Sequence, residues 1–425
     1  MEFTNHSYPF LKEVVFQGVL DSGLTVTLIP KSDFHETYAV LTTKFGAADL
    51  LEHEDKDFSP VGIAHFLEHK LFETESGDAM QEFARLGSSA NAYTTLHHTS
   101  YLFSTTNNRM DSLQLLLSFT QEAHFTEESV EREKEIIAQE IEMYEDDPDH
   151  HLYTGILARL YPNTPLAFDI AGTVKSIQLI TPQLLYRYFT MFYQPSNMHL
   201  CLVGQIEVED TLEKLNELSR PFHFDKKNAP VIERVELEKL PILKHETEYF
   251  EVAMPKLAIG LRGNDKLDPS QLQTYRICLN LLFSMLIGWT SKRYQELYET
   301  GKIDASFHFY LDLHLDYHFL VITADTTEPI ALSAVLRRAI QEFEQDPDIS
   351  EEHLQLLKKE MYGDFIKSLN SLEALAGHMA SLIGEEQSFF DTPAILEKVS
   401  LEDILEVGRK FIGQADMTDF VIFPK

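Results

Sequence analysis

Gly62-Ile63-Ala64-His65-Phe66-Leu67-Glu68-His69-Lys70-Leu71-Phe72 is the stretch around which the rest of the chain can be read. Ser59 and Pro60 precede it as an expected N-cap and first-turn proline, and apolar residues fill it down to Phe72, so a helix is expected. His65 and His69 are four residues apart, which sends both imidazoles from one helical face toward one small cation. Glu68 precedes His69 and follows His65 by three. It lies near such a cation but angularly offset, which suits a carboxylate that activates bound water better than a third ligand. His-x-x-Glu-His is the inverse spelling of the commoner zinc-protease motif. The bland alternative is a pair of histidines at the edge of a core, each hydrogen-bonded to a neighbour.

The chain has 425 residues, more than one hydrophobic core usually serves, so two domains are expected. Hydrophobic residues make up 44% and charged residues 24%, as in an ordinary globular protein. The net charge of -33, from 68 acidic against 35 basic side chains, opposes a nucleic-acid backbone as partner. The N-terminal residues lack a basic stretch followed by an apolar core, so no secretory signal is read. The strongest apolar run, Ile277 to Ile287, is too short for a bilayer and contains Asn280, so no membrane association is expected. Cys201 and Cys278 are far apart, which excludes a disulfide framework and points to a reducing cytoplasm.

Along the chain, Val14 to Phe16, Gly18 to Leu20 and Leu24 to Ile29 read as strands, with Asp21-Ser22-Gly23 turning between the last two. Tyr38 to Phe45 is another strand, and the acidic stretch Leu51 to Phe58 leads as a loop into the histidine helix. A short helix from Ala79 to Leu86 stops at Gly87. The strands Ser89 to Leu96 and Ser100 to Thr106 then flank His97-His98-Thr99. Helices follow at Met110 to Ala123 and from Thr126 to about Tyr144, the latter stopped by Asp146-Asp147-Pro148. Thr181-Pro182 opens the helix Gln183 to Phe192, and Met198 to Val203 reads as a buried strand. Arg220 to Pro241 is proline-rich and mixed in charge, a linker between domains at 1–220 and 242–425. Beyond it come a strand at Leu257 to Leu261, a helix at Leu272 to Ile287, a strand at Phe319 to Thr326 and a helix from Ile349 through Lys367. The opening Ile349-Ser350-Glu351-Glu352 echoes Phe125-Thr126-Glu127-Glu128, and the order of elements suggests a duplicated α+β unit. Only the first copy has the histidine motif.

Two histidines leave room for a third protein ligand and an open position for water. Glu140 is a candidate, flanked by Ile137 and Ile141 on the long helix. Glu133 shares its face and could fix the tautomer of a ligating histidine. Glu131, Glu133, Glu135 and Glu142 decorate the same helix, so residue spacing leaves the choice open. His97 and His98, read as adjacent strand residues facing opposite sides, are not counted as ligands. No Gly-x-Gly-x-x-Gly follows a strand, which argues against a dinucleotide enzyme.

With these residues in hand, the chain resembles the insulinase-type (pitrilysin-like, M16) zinc peptidases. The match runs through His65, Glu68 and His69, through Glu131-Arg132-Glu133 ahead of Glu140, and through Asn91-Ala92-Tyr93-Thr94 after Gly87. The resemblance implies a half-clamshell of two homologous α+β domains, each a mainly antiparallel sheet packed on helices. It implies Zn2+ held by His65, His69 and Glu140, with Glu68 as catalytic base and Glu133 behind the site. Asn91 and Ala92 then lie on an edge strand that binds peptide substrate.

One departure stands out. The family completes its machinery with an Arg and a Tyr from the other half of the clamshell. The corresponding stretch here, Leu297-Tyr298-Glu299-Thr300-Gly301-Lys302-Ile303-Asp304-Ala305, has Tyr298 and Ala305 in those places. The expectation is therefore a metallopeptidase subunit that hydrolyses extended polypeptides in a closed chamber, together with a related subunit carrying the missing Arg and Tyr. A homodimer and a zinc-binding but inactive subunit are the alternatives. The nearest relatives by this resemblance are bacterial cytoplasmic paired subunits, some named for an association with modification of elongation factor P.

Overall fold

The computed structural model describes residues 2–51, 60–222 and 237–425. The expected Ser59 cap, the acidic loop at 52–58 and most of the linker lie outside the described residues. The chain forms two compact units, one of Met1–Ile141, Asp169–Glu236 and Ser368–Ile383, the other of Glu142–Phe168, Leu237–Lys367 and Gly384–Lys425.

The first unit is built on a seven-stranded sheet. Its spatial order is Glu2–Tyr8, Glu13–Val19, Thr25–Pro30, Met198–Gly204, Thr37–Thr43, Thr99–Thr105 and Ser89–Thr94. All neighbours are antiparallel except Thr25–Pro30 with Met198–Gly204. The second unit carries five strands in the order Glu246–Phe250, Asp416–Pro424, Lys256–Arg262, His318–Asp325 and His308–Leu313. Here too one pair is parallel, Glu246–Phe250 with Asp416–Pro424, and the rest are antiparallel. In both units the last strand in sequence is inserted between the first two of this five-strand pattern. The duplication expected from element order is thus a shared topology, and the chain has the α+β architecture of two such units.

The domain limits depart from the contiguous halves at 1–220 and 242–425. Thr37–Thr43 and Met198–Gly204 are buried at every residue, which requires cover on both faces of the sheet. The helix Leu372–Ser381 packs against these two strands. In the second unit Lys256–Arg262 is likewise buried throughout, and the helix Pro148–Leu160 packs on it and on Asp416–Pro424. Each sheet is therefore covered by a helix from the opposite half of the sequence. Asp146-Asp147-Pro148, read as a stop, is a stop and a start: the Asp147 side chain accepts hydrogen bonds from the amides of Asp149 (2.8 Å) and His150 (3.2 Å).

Several local readings also shift. Val14 to Phe16 and Gly18 to Leu20 belong to one strand, Glu13–Val19, that bridges its own glycine. An additional edge strand, Glu2–Tyr8, precedes it. His97 and His98 lie in the connection between strands rather than within one. His98 is buried, with Nδ1 3.0 Å from Thr95 Oγ1.

The core of the first unit forms where the histidine helix, Ile63–Leu71, lays Phe66, Leu67 and Leu71 on the sheet residues Leu41, Tyr101 and Phe103. Leu116 of Arg109–Phe119, Ile137 of Glu127–Glu145 and Tyr188 of Pro182–Phe192 close over the same layer. This packing brings the helices Ile63–Leu71 and Glu127–Glu145 together.

Candidate metal centre

The histidine helix starts later than its proline suggests. Its N-cap is Gly62, at φ 93° and with no side-chain cap. A Cβ there would stand 2.3 Å from the Ala171 carbonyl oxygen, so the close approach of the 171–172 turn demands glycine. Pro60 instead closes a turn through the Ile63 amide to its carbonyl at 3.1 Å. Pro60 is not in the first turn of this helix, because the helix begins at Ile63.

From that start His65 and His69 leave the same face, with ring centroids 4.5 Å apart. The long helix Glu127–Glu145 brings Glu140 opposite them. Glu140 Oε1 is 3.7 Å from His65 Nε2, and Oε2 is 3.7 Å from His69 Nε2. The donor atoms of these three residues lie within 4.8 Å of one another, and this is the one such group among the described residues. Separations of 3.7 Å are too long for hydrogen bonds. They are close to the roughly 3.4 Å that separates donors placed about 2.0–2.1 Å from one tetrahedral ion. His65 Nδ1 is buried without a hydrogen-bond partner, so facing Glu140 is the ring's main polar engagement. Three donors that converge without bonding one another fit a shared cation.

Electrostatics act on the two rings in opposite directions. Burial, helped by neighbouring His69, pushes His65 down to about 4, so the ring stays neutral and can donate its lone pair. His69 moves the other way. Burial opposes its charge, but the hydrogen bond from its Nδ1 to Glu133 and the negative charges of Glu68, Glu133 and Glu140 together hold it above its ordinary value. The Nδ1-to-Oε1 distance is 3.0 Å.

Glu68 is buried beside this group. Burial raises its carboxyl above the ordinary range, Glu140 adds to this, and Thr94 and His69 offset part of it. Thr94 donates its hydroxyl to Glu68 Oε2 at 2.6 Å. A cavity of about 430 Å³ opens from Glu68 and His69, lined also by Phe72, Met80, Asn91, Ala92 and Glu133. Asn91 and Ala92 belong to Ser89–Thr94, the strand at the sheet's edge.

Residue spacing did not disclose a brace behind the motif. Lys70 is fully buried and paired with Glu73, which also takes Arg132 of the long helix at 2.8 Å. The signal was present as a charged residue inside an apolar helical run with Glu73 three positions on, but Arg132, which joins Glu73 from the long helix, could not be read from spacing.

These features make a candidate metal centre on a duplicated α+β fold. Residues 52–174 match the profile of insulinase (peptidase family M16), and residues 179–361 match that of the peptidase M16 inactive domain. The uncharacterized zinc protease YmfH of Bacillus subtilis is 38% identical, with 98% of each chain covered. The uncharacterized zinc protease YmxG of the same organism is 26% identical over 85% of this chain and 88% of its own. Among solved structures, an M16-like protein from Alicyclobacillus acidocaldarius superposes with TM-score 0.89 at 30% identity, covering 100% of this chain and 99% of that one. A protease from Helicobacter pylori shares the fold, with TM-score 0.83 at 20% identity over 96% and 99%. The chain belongs to the insulinase family, peptidase family M16. Among its described residues no helix is long and apolar enough to cross a membrane.

Proposed function

We propose that this protein is the zinc-holding subunit of a metalloendopeptidase that hydrolyses extended or unfolded polypeptides. The observation that carries the reading is the convergence of His65, His69 and Glu140 beside the buried base Glu68. Zinc held by those three residues would supply an activated water and polarise the scissile carbonyl. Glu68, buried beside these three donors, would serve as the base that takes a proton from such a water and passes it to the departing amine. Glu133 holds the His69 ring so that Nε2 faces the other ligands. Substrate adds to the edge strand Ser89–Thr94 through main-chain hydrogen bonds, past Asn91 and Ala92. Recognition of this kind reads extension more than sequence. Both cysteines are free and buried, and we place the enzyme in a reducing cytoplasm.

The tetrahedral intermediate also wants a donor opposite the site. The second unit offers Tyr298, exposed and stacked on Tyr294, and the exposed Ala305, which has no side-chain donor. We therefore infer a related partner subunit that supplies the Arg and Tyr and closes the reaction chamber. The same observation favours a second reading, a zinc-binding subunit without turnover of its own. The deciding measurement is zinc content together with turnover of an unstructured peptide, with the candidate partner titrated in. The proposal expects zinc in the lone chain, weak hydrolysis alone and a large gain with partner. Full activity at zero partner, unchanged by addition and by Tyr298→Phe, identifies a self-sufficient homodimer or monomer. Zinc without hydrolysis in every mixture identifies the inactive subunit.

A further inference from the structure

We infer that Thr94 is a positioning residue that fixes Glu68 as a one-sided base and ties it to the strand where peptide docks. The inference rests on the proposed hydrolysis, but the bond on which it stands can be tested without it. Thr94 is the last residue of Ser89–Thr94, two positions beyond Ala92. Its hydroxyl has one hydrogen and two oxygen neighbours, Glu68 Oε2 at 2.6 Å and Thr99 Oγ1 at 3.3 Å.

The Thr99 hydroxyl donates its own hydrogen to the Phe45 carbonyl at 2.8 Å, so it has none left to give. An ionised carboxylate can only accept. The hydrogen of Thr94 therefore goes to Glu68, at a distance typical of a charge-assisted bond. Because Glu68 is 8% exposed, water competes weakly for Oε2, and the bond locks the carboxylate plane. Oε2 is thereby occupied, and Oε1 is left to receive a proton.

The strand supplies the functional link. Ser89–Thr94 pairs on one side only, with Thr99–Thr105, and its free edge is where an extended peptide adds. A peptide ordered along that edge orders the residue that holds the base. Substrate that leaves the strand unfilled, such as a very short peptide, loses turnover as well as affinity.

The test is Thr94→Val, nearly isosteric and without the donor, beside Thr94→Ser, which keeps it. In the zinc-loaded protein with its partner, Thr94→Val should lower kcat about 10–100-fold, the worth of one hydrogen bond to a charged group. KM and zinc affinity should stay within about threefold, and Thr94→Ser should recover most of the loss. An unchanged kcat in Thr94→Val overturns the inference. So does a loss that falls on KM or zinc affinity, or one that Thr94→Ser shares equally, since those mark a docking or packing role. If the wild-type protein shows no hydrolysis with any partner, the functional reading fails, and metal-free urea unfolding of Thr94→Val, Glu68→Gln and the double variant still decides. Shifts in midpoint smaller in the double variant than the sum of the singles support the bond; strictly additive shifts overturn it. Thr94→Ala repeats the comparison should Thr94→Val fail to fold.

Discussion

His69 donates its Nδ1 hydrogen to Glu133 Oε1 at 3.0 Å. Since a carboxylate can only accept, this bond leaves the Nε2 lone pair facing Glu140. Glu133→Gln should weaken this orientation without removing a donor to metal, lowering zinc affinity or activity about 10–100-fold. His65→Ala, His69→Ala and Glu140→Gln each delete a donor and should lose more. Competition with a chromogenic chelator ranks the four, and near-full zinc in Glu140→Gln would move the third ligand to another glutamate.

Glu68→Gln keeps the shape of the side chain and removes its basicity. Zinc content should match wild type, while turnover falls by about 10²–10⁴, the usual contribution of a positioned general base. Elemental analysis paired with a peptide assay checks both halves of this expectation. Substantial turnover remaining in Glu68→Gln would mean that another group handles the proton.

The pairing of Lys70 with Glu73 should show in stability. Glu73→Gln leaves a fully buried ammonium without its carboxylate and should cost about 1–3 kcal/mol, whereas Lys70→Met with Glu73→Gln should recover much of it. Burial alone would raise the Glu73 carboxyl, but the hydrogen bonds and charges of Lys70 and Arg132 outweigh it and hold it below the ordinary carboxylate range. A depressed folded value means that this stabilisation is complete above about pH 4.5 and is lost as pH falls through the depressed value. Urea midpoints of wild type and double variant across that range should converge in acid.

The covering helix of the second unit depends on two glycines. A Cβ on Gly155 would lie 2.3 Å from the Phe420 ring, and one on Gly260 would lie 2.8 Å from Ile156 and Leu160. Gly155→Val or Gly260→Val should destabilise by about 1–3 kcal/mol through overpacking, read by thermal unfolding. Because each sheet takes its cover from the other half, residues 1–222 and 237–425 expressed separately should each fail to unfold cooperatively. Produced together, they should regain a transition.

The sequence by itself determined where the candidate metal-binding helix of the first unit lies. His65, Glu68 and His69 are local, so helical periodicity alone places them on one turn. Glu133 and Glu140 needed the family resemblance to be picked out from their acidic neighbours, because a helix with many glutamates offers several equivalent faces to solvent. Residue periodicity also located the strands Thr25–Pro30 and Met198–Gly204 and the helix Leu272–Ile287 to within a residue or so. The parallel pairing of those two strands, by contrast, joins residues some 170 positions apart.

What only the tertiary structure decided are relationships with no local signature. The Gly62 cap follows from a backbone turn near Ala171, and the hydroxyl that holds Glu68 comes from a strand 26 residues on. The exchange of covering helices follows from sheets buried on both faces: an amphipathic helix announces that it needs an apolar surface, but not which of two similar sheets provides it. That choice rests on shape, as the close approach of Gly155 to Phe420 shows, and packing complementarity is a property of surfaces brought together by the whole fold.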